Sequence, residues 1–172
     1  MTRAIPGLRW GTALLLLVWA LGAMAKEVPA EELRLAVISG SAPPQIASDR
    51  RSLRDVFLKR VTIDRTGLRL VPLNLPPASV LRRAFSESLL GRAPQRLERY
   101  WNERYFQGVS PPYVVRSQEA MLRFVAATPG AVGYVLACRV DGRVRVLARL
   151  PVPPEYADRL AGGCGAAKAD GH

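Results

Sequence analysis

Ser79 and Arg82 stand one helical turn apart, directly behind Pro76-Pro77, and residue types in that order suit the capture of an anion. A proline pair opens a helix readily, because the N–H it lacks belongs to the first turn, where it would have no intrahelical partner. The amides of Ala78, Ser79 and Val80 are then left unpaired, with the positive end of the helix dipole behind them. The Ser79 hydroxyl can donate to an oxyanion, and Arg82 can add a charge-assisted bond. Arg83 is the less favoured contributor. The same residues also support a plainer reading, in which Ser79 only caps the helix and both arginines are solvated.

Catalytic constellations find no counterpart. The single histidine is His172, which removes His-centred acid–base work. No G-x-S-x-G, H-E-x-x-H or P-loop pattern occurs, and the carboxylates are interspersed with arginines as on solvated helix faces. The sequence therefore predicts no catalytic residue, no metal site and no cofactor. Cys138 and Cys164 are the only cysteines. A disulfide between them is the favoured reading over two free thiols; it would close a loop of about 25 residues and stabilise by roughly 3 kcal/mol. Tyr100, Trp101, Tyr105 and Phe106 offer a stacking platform, although Trp101 and Tyr105 at helical spacing also fit a core. Tyr134 beside Gly133 can line a cleft or fill the interior.

The N-terminus sets an expectation for the compartment. Arg3 and Arg9 precede the apolar run from Thr12 to Leu21, and Ala23-Met24-Ala25 offers a signal-peptidase site. Residues 1–25 are thus expected to be a cleaved secretory signal, and the mature chain to be periplasmic or secreted and not membrane-spanning. With 25 basic and 14 acidic residues, the net charge of +11 favours anionic partners. The arginines are dispersed rather than bunched, which fits a basic surface, and export removes nucleic acid as a partner.

Several elements must position these residues. Leu33 to Ile38 reads as a strand-like apolar run, Leu53, Val56 and Phe57 as the apolar face of a helix behind Ser48 or Asp49, and Leu68 to Leu75 as a second strand. Asn74 and Pro76-Pro77 open a helix with Val80, Leu81, Ala84, Phe85 and Leu89 on its apolar face and Gly91 as its stop, and further helices follow from Pro94 to Gly108 and behind Ser117. Ala131 to Val140 reads as a buried strand. Asp141-Gly142 is a hairpin signal leading to a half-exposed strand over Val144–Ala148. The alternation predicts an α/β fold with a mostly parallel sheet flanked by helices and a C-terminal antiparallel hairpin. One lobe is expected over 26–160, followed by a flexible tail over 161–172.

Asp55-Val56-Phe57-Leu58, Gly67, Val71-Pro72-Leu73-Asn74, Arg82-x-x-Phe85, Tyr100-Trp101, Phe106-x-Gly108, Pro111-Pro112 and Pro129-Gly130-Ala131-Val132-Gly133-Tyr134-Val135 occur in a familiar order. In that order the chain resembles the phosphate-binding-protein branch of the type 2 periplasmic binding proteins, especially short members that keep one lobe. The family's Gly-Ser-Gly-Thr phosphate loop is replaced here by Pro76-Pro77-Ala78-Ser79-Val80, in which only Ser79 matches in chemical type. The resemblance implies a non-enzymatic solute-binding lobe for a small oxyanion, with phosphate as the family's own ligand, working with an envelope membrane transporter or receptor in uptake or sensing. An envelope interaction or sensory adaptor that has lost its small ligand is the alternative.

Overall fold

The structure, a computed structural model, describes residues 33–165. The expected signal, residues 1–25, lies outside them. Among the described residues no helix is long and apolar enough to cross a membrane.

Strand β1 (Arg34–Ser39) is buried along all but its first residue. Leu35, Ala36, Val37 and Ile38 have no exposed surface at all, so both faces of this strand and both of its edges are covered. An uninterrupted apolar run of this kind belongs in the middle of a sheet. Helix α1 (Arg50–Phe57) begins where the Asp49 carboxylate accepts from the Arg51 and Ser52 amides, and it buries Leu53, Val56 and Phe57. Strand β2 (Val71–Asn74) leads into α2 (Val80–Phe85), which runs directly into a π-helical turn over Ser86–Leu90. Pro94–Leu97 is a 3₁₀ turn ahead of α3 (Glu98–Phe106). A short edge strand β3 (Tyr113–Val114), α4 (Gln118–Ala127), β4 (Ala131–Leu136), β5 (Arg145–Pro151) and α5 (Pro154–Gly165) complete the order.

The α/β alternation expected from the sequence holds, with strands ordered β3-β2-β4-β1-β5 in one sheet. The sheet is mixed where a mostly parallel one is expected. β2 runs parallel to β3 and β4, and β1 runs antiparallel to β4 and β5. The Asp141-Gly142 turn does join β4 to β5, yet no hairpin ladder forms, because β1 lies between the two strands. The mainly apolar β1 takes the inner position beside β4, and the more polar β5 is left at the rim. A register shift between Val37 and Ile38 leaves Leu147 without a partner on β1, since Val37 faces Ala148 and Ile38 faces Val146. That bulge explains the irregular polarity of β5 around Leu147.

At the C-terminus the glycine- and alanine-rich composition after Ala161 predicts a tail, whereas α5 continues to Gly165. A disulfide joins Cys138 to Cys164 with Cα atoms 5.7 Å apart, and Leu160 is buried in the core. Two side-chain anchors therefore hold a helix that local propensity would not keep. Residues 166–172 lie outside the described chain.

The loop ahead of α1 and the turn ahead of β2 are pinned together by one carboxylate. Asp64 accepts from the amides of Gln45 at 2.7 Å, Thr66 at 2.8 Å and Leu68 at 2.9 Å, and from the Thr66 hydroxyl at 2.7 Å. The Thr66 hydroxyl above all, with these amides, pushes the Asp64 carboxyl down to about 2. The folded value lies below the unfolded one of about 3.9, so the stabilisation is complete above roughly pH 4 and disappears as pH falls through about 2. Asp64→Asn is expected to lower the melting temperature at neutral pH and to flatten its decline between about pH 4 and pH 2. An acid limb as steep as that of the unmodified protein would refute this role.

Candidate functional site

The predicted anion corner lies at the carboxyl end of β2, where open α/β sheets place their ligands. Asn74 is buried, and its carbonyl accepts from the Val115 amide at 2.8 Å, which ties the end of β2 to the segment after β3. The Tyr134 hydroxyl reaches the same corner from β4. It accepts from the Leu75 amide at 3.2 Å and donates to Asn74 Oδ1 at 3.0 Å. Burial pushes the Tyr134 hydroxyl well above the ordinary tyrosine range, so it remains a neutral donor. Its ring stacks on Phe85 of α2 with centroids 3.6 Å apart, and Phe57 of α1 meets Phe85 edge-on at 4.7 Å. Of the two roles open to Tyr134, the structure assigns the interior one.

The four residues singled out for anion binding come together here, with their donors unequally committed. Ala78 is exposed, while Ser79, Val80 and Arg82 are half-buried. The Ser79 amide is not free, since it donates to the Pro76 carbonyl at 2.9 Å across a turn. The Ser79 oxygen accepts from the Arg82 amide at 3.4 Å as the helix cap, and this leaves the hydroxyl proton able to donate outward. The Ala78 and Val80 amides have no backbone partner among the described residues. Arg82 Nη1 donates to the Leu75 carbonyl at 2.7 Å, so the guanidinium clasps the loop that leaves β2. Its Nε is buried without a partner among the described residues. Burial pulls the Arg82 pKa down from the ordinary arginine value, the sign of a cation short of compensating charge. Arg83 Nη2 donates to the Ala78 carbonyl at 2.9 Å, a second clasp on the same loop.

The sequence carries no local signal of what immobilises these four residues. Tyr134 and Asn74 are 60 residues apart and meet only through the sheet. The aromatic platform divides: Tyr100 and Trp101 pack against the core, whereas Tyr105 and Phe106 are exposed. The Tyr100 hydroxyl donates to the Leu58 carbonyl at 2.7 Å and anchors α3 to the end of α1. Among the described residues no cluster of His, Cys, Asp and Glu could hold a metal ion. The arrangement offers two free amides, one hydroxyl and part of one guanidinium on a shelf open to solvent, which is chemistry for holding an oxyanion.

Two solved structures are similar to this chain. A phosphate ABC transporter substrate-binding protein from Clostridium perfringens, solved with bound phosphate, matches 75% of this chain and 51% of its own, with a TM-score of 0.53 and 16% identity. An ABC-type phosphate transport receptor from Vibrio cholerae matches 66% of this chain and 45% of its own, with a TM-score of 0.48 and 19% identity. The chain thus spans about half the length of these proteins. No protein-family model and no curated protein matches the sequence. With β4 central, β1 beside it, β2 running into the serine-capped α2, and helices on the sheet faces, the chain has the fold of one lobe of a phosphate-binding-protein-like periplasmic receptor.

Proposed function

We propose that this chain is a non-enzymatic solute-binding lobe of the cell envelope that recognises a small oxyanion, phosphate foremost, at the β2–α2 shelf. The observation that carries this reading is the rigid turn itself. Tyr134 and Arg82 fix Leu75 from both its amide and its carbonyl side, and the Ala78 and Val80 amides and the Ser79 hydroxyl follow directly. Preorganised donors lose little freedom on binding, so even a shelf with one wall can hold an anion. The similar protein from Clostridium perfringens was solved with bound phosphate, and this chain corresponds to half of it. A transporter or receptor in the envelope would supply the opposite wall.

A thermal-shift titration with phosphate and sulfate at constant ionic strength tests this. Saturation at 100 times the dissociation constant should stabilise by about 2.7 kcal/mol. Ser79→Asp keeps an equally good helix cap but puts a carboxylate where the anion would sit. This variant is expected to fold normally and to lose the phosphate shift. Arg82→Lys keeps the charge, gives up the planar fork, and should weaken binding about tenfold. A shift that survives Ser79→Asp would refute the shelf.

The adaptor reading has its own observation. Tyr105, Phe106, Tyr113 and Val114 are exposed, and β3 is an edge strand. Exposed apolar side chains and an open edge suit protein docking. Absence of a shift with any anion would favour that reading over the shelf.

A further inference from the structure

We propose that the cleft between α1 and the π-helical turn is a second anion site, one that takes clustered phosphate groups. It encloses about 440 Å³ and is lined by Arg50, Arg51, Arg54, Asp55, Arg60 and Leu89. That size suits a small-molecule ligand. Arg60 pairs with Asp55 at 3.2 Å, and no salt bridge among the described residues involves Arg50, Arg51 or Arg54. The nearby Asp49 is committed to the Arg51 and Ser52 amides and the Ser52 hydroxyl. Arg54 Nε is buried with no partner among the described residues.

The placement of these arginines runs against helix electrostatics. The first turn of α1 holds Arg50 and Arg51 and no acidic residue, although the positive end of a helix dipole favours carboxylates there. Arg50 and Arg54 are four residues apart, where like charges oppose one another. Two departures from helix electrostatics among residues lining one cleft mark a functional cluster rather than a structural one. An anion shared by the three guanidiniums offsets their mutual repulsion with its own attraction to each. A lone carboxylate satisfies a single guanidinium fork, whereas linked phosphates present several charged oxygens within a short span. Leu89 adds an apolar wall from the π turn. This site shares no residue with the Ser79 shelf, so it stands independently of the function proposed there.

Two sources carry such chemistry: soluble oligophosphates and diphosphate lipid headgroups. Calorimetric titration of the full chain with inorganic tripolyphosphate, at constant ionic strength, addresses the first. Flotation with vesicles of cardiolipin in phosphatidylcholine addresses the second. Arg50→Glu combined with Arg51→Glu removes the exposed rim of the site and puts carboxylates at a helix start that favours them, so folding should hold. Arg149→Glu with Arg159→Glu, both exposed and outside the cleft lining, makes the same charge change. The cleft variant is expected to weaken binding roughly 100-fold, and the control pair by no more than about threefold. Loss with vesicles alone assigns the site to lipid headgroups, and loss with tripolyphosphate alone to soluble anions. Equal loss in both variants, or no binding of either probe to the unmodified protein, overturns the proposal.

Discussion

Gly130→Val should be the most damaging small substitution in the chain, destabilising by about 4 kcal/mol or more. Gly130 has φ of +74°, a region that side chains other than glycine enter only with strain. A Cβ there would also sit on the Arg69 carbonyl, and backbone cannot swing aside as a flexible side chain can. The Gly130 carbonyl accepts from the Val71 amide at 2.9 Å, so the position sets β2 against β4 as well. Other glycines supply the controls. Gly67 has φ of +88° but open space around its missing Cβ, so Gly67→Ala should cost only about 1 kcal/mol of strain. Gly142 has neither constraint, and Gly142→Ala should fall within about 0.5 kcal/mol of the unmodified protein. Thermal denaturation of the three variants should rank them in that order, with Gly130→Val lower by roughly 10 °C or more. A Gly130 variant that melts with the Gly142 variant would mean that β2 is not registered through this turn.

The elements were legible wherever a short local signal settled the outcome. Asp49 and Ser117 cap helices whose starts follow from their side-chain chemistry, whereas the helix expected to open at Pro76-Pro77 starts at Val80, because the Ser79 hydroxyl caps it and the prolines are left in the turn ahead. Strands β1 and β4 follow from apolar runs too short for helices. What local sequence could not convey was which strand each would neighbour. Asp141-Gly142 carries a valid turn signal, but a turn fixes only where the chain reverses. The competition for the inner position beside β4 was decided by β1, buried on both faces, against β5, which carries Arg145 and Arg149. The same distinction applies at the shelf. The identities of Ser79 and Arg82 announce possible anion chemistry, yet the bond from Arg82 to Leu75 depends on how the loop folds back. The arginine cleft did leave a signal in the sequence, namely Arg50-Arg51 at a helix start that would ordinarily carry acids. It was obscured because the arginines are otherwise so widely dispersed.

Phe85→Ala should come next in magnitude, at about 3 to 5 kcal/mol, because it empties a fully buried site between two other rings. Its consequences reach beyond stability. Phe85 lies on α2 and Tyr134 on β4, and their parallel rings are the packing that aims the tyrosine hydroxyl at Leu75 and Asn74. Tyr134→Phe preserves the stack and deletes only the hydroxyl. It leaves the Leu75 amide and Asn74 Oδ1 without this partner in a buried corner, at a cost of about 1 to 3 kcal/mol. Hydrogen exchange separates the two effects. Tyr134→Phe should speed exchange at the Leu75 amide selectively, whereas Phe85→Ala should speed it across the whole β2–α2 segment. If the shelf depends on this network, Tyr134→Phe should also weaken the phosphate thermal shift although Tyr134 is fully buried. Unchanged exchange at Leu75 in Tyr134→Phe would show that Arg82 alone holds the turn. The rigidity that makes the shelf a binding surface would then rest on one guanidinium, and Arg82→Ala should release what Tyr134→Phe does not.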